Sequence, residues 1–517
     1  MTTWGFTSVR RLLGLFAAMW AISLFAHGSA RAQGLSFAWS SYGHDAQHSA
    51  ISANASQPLK RIVWSTPVDE NPQFSGSALL IHYGSPLITQ ANTLVLPVKT
   101  GLTGGFKFEG RNAATGVLIW STATDYTLPP HDWIPSCSGC ITPRNRLYFP
   151  GAGGTLYFRD NPDSAVSTTG QIAFYGIANY NADKATYDAN VRINTPITVD
   201  RYGDIFFGYQ VLGATPLGLQ SGLARISYNE VGSWVSAVTA ASDAGIAKVA
   251  HNCAPALSVD HRTLYIAVNS GGGGGAGFGY LLSLNAVSLA TTGKVRLKDV
   301  KNTATDAYIH DDGTASPTVG PDGDVYFGIL ENPFGYNHLR GWLLHFNSTL
   351  TVSKTPGAFG WDDSASIVPK SMVPSYSGSS SYLLLTKYNN YVEGGGDGVN
   401  KMAVVDPNNT MVDLISGATV MKEIFTIAGP TPDPRGPGFP NAVREWCINT
   451  AAVDPATKSI LVNSEDGKLY RWDMTTGQLS ETIVLNVATA EAYTPTIIAK
   501  DGTVFAINRA VIYAIGR

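Results

Sequence analysis

TPITVDRYGDIFFGY, residues 195–209, reads as two short strands around a tight turn: an apolar-alternating stretch, an Asp/Gly turn, then a strand rich in aromatics. The phrase recurs as APALSVDHRTLYIAV from Ala254, SPTVGPDGDVYFGIL from Ser316 and TPTIIAKDGTVFAIN from Thr494. Weaker copies begin at Ser85 (SPLITQANTLVLPV), Ser138 (SGCITPRNRLYFPG) and Thr450 (TAAVDPATKSILVNS). The most divergent, VPSYSGSSSYLLLTKY, is placed from Val373. Asp, Asn and Gly between the strands accept the backbone angles that tight turns require.

A second phrase follows each of these after a variable gap. Its best copies are FEGRNAATGVLIWST from Phe108 and LYRWDMTTGQLSETI from Leu469, with others from Leu223, Tyr280 and Met402. Together the two phrases predict four antiparallel strands per unit, at a spacing of roughly 55 residues, longer than the ~40–50 of familiar propeller repeats. Repeated four-stranded units close around an axis and leave only short edges. The expected fold is all-β: a single eight-bladed β-propeller over residues 60–517, seven blades being the alternative. The last unit ends at VIYAIGR from Val511 with three strands, and KRIVWSTPV from Lys60 supplies its fourth, sealing the ring from both ends of the chain.

The turn phrases AATGVLIW from Ala113 and WDMTTGQL from Trp472 resemble the tryptophan-docking repeats of the pyrroloquinoline-quinone (PQQ) propeller superfamily, and WSSYGHDAQHSAIS from Trp39 resembles the lead-in before many such propellers. The resemblance covers nearly the whole mature chain and implies eight blades. In that family's dehydrogenases, it further implies PQQ stacked between a tryptophan and a disulfide of adjacent cysteines, beside Ca²⁺ and a catalytic Asp. No two cysteines are adjacent here, and the ligand set has no counterpart that can be placed.

Composition fits a repeat scaffold and excludes other classes. Only 14% of the 517 residues are charged and the net charge is −3, so phosphate-driven nucleic-acid binding is excluded. A 44% hydrophobic content excludes disorder. At the N-terminus, Arg10 and Arg11 precede an apolar stretch from Leu12 to Phe25 and a small-x-small site at Ala30–Ala32, the layout of a secretory signal peptide over residues 1–32. Residues 33–59 then form a lead-in segment, and the mature chain is expected to be exported, periplasmic or extracellular, without a membrane span.

Loop length nominates one face. The turns within the first phrase are tight, whereas the loops from Tyr209, Asn269, Glu331 and Asn389 are long, and long loops on a rigid scaffold usually carry binding. Entry segments of that face hold His131, Asp132, Arg192, His251, His310, Asp311, Asp312, Arg444 and Glu445, expected to gather over the central channel. Histidines and carboxylates suit a metal, but no His-x-x-x-His spacing supports one, so metal ligands and catalytic residues stay unassigned. The lone nucleophile, phosphate-loop and haem motifs are absent. Cys137, Cys140, Cys253 and Cys447 in an exported chain favour disulfides, with a local Cys137–Cys140 bridge and a Cys253–Cys447 bridge both open. The leading functional expectation is a scaffold that binds a protein or small-molecule ligand through its long-loop face, with no cofactor. A PQQ/Ca²⁺ oxidoreductase is the alternative, and a hydrolase or lyase using His and Asp of the same face is the third reading.

Overall fold

The structure, a computed structural model, describes residues 39–517 except 76–77, 81–83, 131–136, 272–275, 314, 436, 488–491 and 493. His131, Asp132 and the expected signal peptide lie outside the described residues.

Eight antiparallel sheets, mainly four-stranded, succeed one another along the chain. Blade 1 runs from the axis outward as Leu87–Ile88, Thr93–Lys99, Phe106–Asn112 and Leu118–Thr124. Blades 2, 3 and 4 repeat the order, with innermost strands at Cys140–Ile141, Thr198–Val199 and Ala256–Leu257. Blade 5 has Thr318–Val319, Val325–Ile329 and Trp342–Phe346, its outer edge being held by single bridges from Phe346 to Ser353 and from Leu343 to Gly357. Blades 6 and 7 begin at Ser366–Pro369 and Ala452–Asp454. Blade 8 comprises Ile497–Ile498, Val504–Asn508 and Val511–Gly516, closed by Arg61–Pro67 in antiparallel register from Arg61 opposite Gly516 to Pro67 opposite Val511. The ring is thus sealed by the N-terminal strand, and blades number eight.

One boundary is corrected. The sixth unit starts at Ser366–Pro369, not at Val373, which caps a 3₁₀ turn over Lys370–Met372. An unusually long connection, residues 370–381, separates its two inner strands, which is why its sequence looks least like the others.

Strand position explains the composition. Second strands such as Thr93–Lys99 and Val325–Ile329 are buried throughout, because blades pack on both of their faces. Outer strands such as Gln478–Val484 alternate exposed and half-buried, so few positions face water and need charge. The Thr-Gly turns close as expected: Gly116 and Gly477 adopt φ of +72° and +71°, a region favouring glycine, and donate to Asn112 and Asp473 carbonyls at 2.8 Å. Trp472 Nε1 then donates to the Gly477 carbonyl at 2.9 Å, and Trp64 Nε1 reaches from blade 8 to the Ala113 carbonyl of blade 1 at 2.9 Å.

Residues 39–57 form a strap inside the ring. The innermost strands have a free edge toward the axis, and the strap bonds to seven of the eight blades there. Ile88 and Trp39 exchange backbone bonds in blade 1; Ile141 donates to Ser40 in blade 2, Leu257 to Ala46 in blade 4, Val319 to Gln47 in blade 5, Ile367 to Ser49 in blade 6 and Val453 to Ala50 in blade 7. Gln57 donates to Gly502 of blade 8. Except in blade 6, whose connection is long, these contacts fall next to the tight turns, so the strap crosses the channel at that end. Asp45 holds the strap's bend, accepting from the Gln47 and Ser49 amides at 3.1 and 3.0 Å. Burial raises the Asp45 carboxyl, but bonds from His44 and Ser49 outweigh it and hold the group down at about 2.

Candidate functional site at the channel mouth

Second strands run toward the long-loop face, and the connections they lead into are longest in blades 3 to 6: residues 212–221, 270–278, 330–341 and 389–400. With the strap at its far end, the ring centre on this side is a well whose polar side chains are almost wholly buried.

Tyr42 rises from the strap at the centre. Its hydroxyl lies 2.8 Å from Ser364 Oγ and donates to Asn449 Oδ1. Ser364 Oγ accepts from the Ser316 amide at 2.9 Å, and Ser316 Oγ from the Ala254 amide at 2.9 Å, so entry segments of blades 4 to 7 are linked around the well.

Two buried ion pairs form the wall. Lys248 Nζ sits 2.6 Å from Asp311 Oδ2, and Asp311 Oδ1 accepts from Asn269 Nδ2 at 3.1 Å and the His251 amide at 3.2 Å. Burial works to raise Asp311, but Lys248 and His251 outweigh it and hold the carboxylate below its ordinary range. Lys387 Nζ sits 2.7 Å from Asp362 Oδ2, with side chains 0% and 3% exposed. Beside it, Asp363 accepts from the Lys387 amide at 3.1 Å and Thr386 Oγ1 at 3.3 Å, and burial pushes it up to about 7 despite the nearby ammonium.

At blade 7, ligand atoms of Glu445, Cys447 and Glu465 lie within 4.8 Å of one another, a set able to offer a metal two oxygens and a sulfur. It is the one such group among the described residues. Glu465 Oε1 also accepts the Glu445 amide at 2.9 Å, and Arg444 Nη1 lies 3.2 Å from Asp433 and 3.9 Å from Glu465. Arg435 reaches Glu445 at 3.6 Å and pairs with Asp433 and Glu393. On the rim, half-buried His310 meets Trp361 edge-on at 5.7 Å and accepts the Asp312 amide on Nδ1 at 3.2 Å.

The predicted residues therefore divide. His251, Asp311, Arg444 and Glu445 belong to the well or its blade 7 side, and His310 and Asp312 to the rim. Asp311 and Asp312, though adjacent, serve different surroundings. Arg192 bonds locally, donating to the carbonyls of Asp188, Ala189 and Val191 at the end of the helix Lys184–Asn190. Lys248, Lys387, Asp362, Asp363, Glu465 and Tyr42 were missed. Their signal lay in the repeat: WDDSAS from Trp361 echoes HDDGTAS from His310, and Lys99 and Lys387 each stand in otherwise apolar second strands.

The cysteine expectation is corrected. All four are buried and no disulfide joins any of them. Cys137 and Cys140 both enter the apolar core between blades 1 and 3, and burial raises both thiols well above the usual range. Burial likewise pushes Cys253 up to about 12. The quinone and Ca²⁺ pair that the resemblance implies does not fit these residues. There is no disulfide platform, and the wall carboxylates Asp311 and Asp362 are each spent on a buried lysine, whereas Ca²⁺ requires 6–8 oxygen ligands.

No protein family matches the chain, and neither does any curated protein. Among solved structures, a europium-containing methanol dehydrogenase is similar at 8% identity and a TM-score of 0.55, over 90% of this chain and 89% of that one. Quinohemoprotein alcohol dehydrogenase from Comamonas testosteroni is similar at 10% identity and 0.52, over 94% and 82%. The quinohemoprotein alcohol dehydrogenase ADHIIG from Pseudomonas putida HK5 gives 10% and 0.51, over 93% and 76%. At such identities the likeness concerns the fold: this chain is an eight-bladed propeller that resembles these dehydrogenases in its backbone.

Proposed function

We propose that the mature chain is an exported binding propeller, whose mouth receives a small polar ligand or a partner's polar side chain and performs no chemistry on it. The observation that carries this reading is the state of the well. Its floor is crossed by the strap, and Lys248, Asp311, Lys387 and Asp362 are spent on one another in two fixed, buried pairs. Such a surface is pre-organised for recognition, since its groups need not reorder when a ligand arrives. Catalysis asks instead for an unspent acid, base or nucleophile facing the substrate. Export rests on the N-terminal charge and hydropathy pattern; among the described residues no helix is long and apolar enough to cross a membrane.

The test uses protein labelled with 5-fluorotryptophan, with the Trp361 resonance identified by Trp361→Phe. Titrated with polar small molecules, it is expected to show saturable shifts confined to the rim. Reconstitution with PQQ and Ca²⁺ supplies the opposing arm: saturable quinone binding with dye reduction would overturn the binding reading in favour of an oxidoreductase.

A further inference from the structure

A second concave site lies away from the mouth, between blades 2 and 3, where their tight turns meet. It is a cleft of about 230 Å³. The first turn of blade 2 (residues 142–145) forms one side and the outer turn of blade 3 (residues 227–231) the other. Gly203 lies between them with φ +97°; a Cβ there would stand 3.5 Å from Tyr228 Cβ and 3.9 Å from Pro143 Cδ.

The two arginines of this cleft are in different states. Arg146 is spent: its fork meets Asp160 at 2.5 and 3.1 Å, it pairs with Glu230, and its plane lies 4.3 Å from the Phe158 ring centroid. Arg144 is exposed, stacked 5.0 Å over the Tyr228 ring, and among the described residues it has neither a hydrogen-bond acceptor nor an ion-pair partner. Stacking fixes the plane of a guanidinium while leaving its five N–H donors directed outward, the geometry that accepts a carboxylate two-pronged.

The two carboxylates of the lining select what that anion must carry. Asp160 and Glu230 each keep lone pairs beyond those given to Arg146, and their side chains are 38% and 39% exposed. A bare anion would face these carboxylates and be repelled, whereas hydroxyl groups would donate to them. The volume is below the 300–1,000 Å³ typical of drug-sized pockets, which restricts the ligand to about one ring. We propose that this cleft binds a hydroxylated carboxylate of monosaccharide size, the class of the uronic acids, with the carboxylate on Arg144 and hydroxyls on Asp160 and Glu230. The proposal is independent of the mouth.

Calorimetric titration of the mature protein with galacturonate and glucuronate tests it, with glucose and inorganic phosphate as comparison ligands. At least one uronate is expected to bind saturably, with glucose and phosphate each at least tenfold weaker. Arg144→Gln, at an exposed position, is expected to keep the thermal midpoint and to weaken uronate binding at least tenfold. Three results would overturn the proposal: neither uronate binding to the folded protein, unchanged affinity in Arg144→Gln, or phosphate binding as tightly as the uronates. If Arg144→Gln lowers the midpoint, Arg144→Lys replaces it: retained folding with unchanged uronate affinity counts against the two-pronged contact, and a tenfold loss supports it.

Discussion

Replacing Lys387 by Met removes the ammonium that faces Asp362 at 2.7 Å and opposes the burial of both Asp362 and Asp363. Breaking a buried pair on one side typically costs 3–5 kcal/mol. The loss has a ceiling, because Asp362 deprived of this ammonium can escape by taking a proton. At pH 7 that costs about 4 kcal/mol, being about 1.4 kcal/mol for each unit above an ordinary Asp pKa of about 3.9. The deficit should therefore be about 4 kcal/mol at pH 7 and fall to about 1.5 kcal/mol at pH 5. The sign follows from linkage: in the variant the folded pKa of Asp362 is raised, so its penalty is full above that pKa and fades toward the unfolded value. With an unfolding entropy of about 2.1 cal/mol/K per residue, a chain this size loses only about 4 °C of Tm, so urea titration is the better assay. The double variant Lys387→Met/Asp362→Asn should recover the part of the loss due to Asp362, leaving only what Asp363 loses with the ammonium. A deficit under about 1 kcal/mol at pH 7, or one unchanged between pH 7 and 5, would refute the reasoning.

Three further outcomes are expected. Burial depresses His48 on the strap to about 4, outweighing its contact with the Pro317 carbonyl at 2.7 Å, so the folded state resists protonation that the unfolded chain accepts. This contribution is intact above about pH 6.5 and is lost as pH falls toward 4, by about 3 kcal/mol in total; His48→Asn should flatten that part of the stability–pH curve. Trp64→Ala removes the bond to Ala113 that ties blade 8 to blade 1 and the contact with Phe505 at 5.5 Å inside blade 8, and should cost about 2–3 kcal/mol by urea unfolding. A thiol reagent should react slowly with the native protein and with all four cysteines after guanidinium unfolding without reductant; fewer than four reactive thiols would mean that a disulfide exists.

The strand pairs were legible because they are local. A two-residue side-chain period with a turn between strands is written in fifteen consecutive letters, and even the closing strand from Lys60 could be named. The sixth unit was misplaced because Val373 looks locally like a strand start, whereas Met372 and Val373 fill core space beneath a 3₁₀ turn. The site was legible only in part. Asp311 and Glu445 were named from the polar clusters of the entry segments, but their partners Lys248 and Glu465 come from 63 and 20 residues away in sequence. The C-x-x-C spacing suggested a bridge, yet both thiols turn into the core, which spacing cannot reveal.

By itself, the sequence determined the repeat, the antiparallel strands, the sealing of the ring and the low charge that buried inner strands require. These follow from periodicity and turn chemistry, which act over a few residues. Only the tertiary structure decided that residues 39–57 cross the channel, that Lys248 and Lys387 are spent on Asp311 and Asp362, and that Arg144 stands unspent over Tyr228. Each of those facts depends on which blade lies beside which at the axis or the rim. Electrostatic pairing and burial act through space at a few ångströms, and the chain brings distant residues to that range only when the ring has closed.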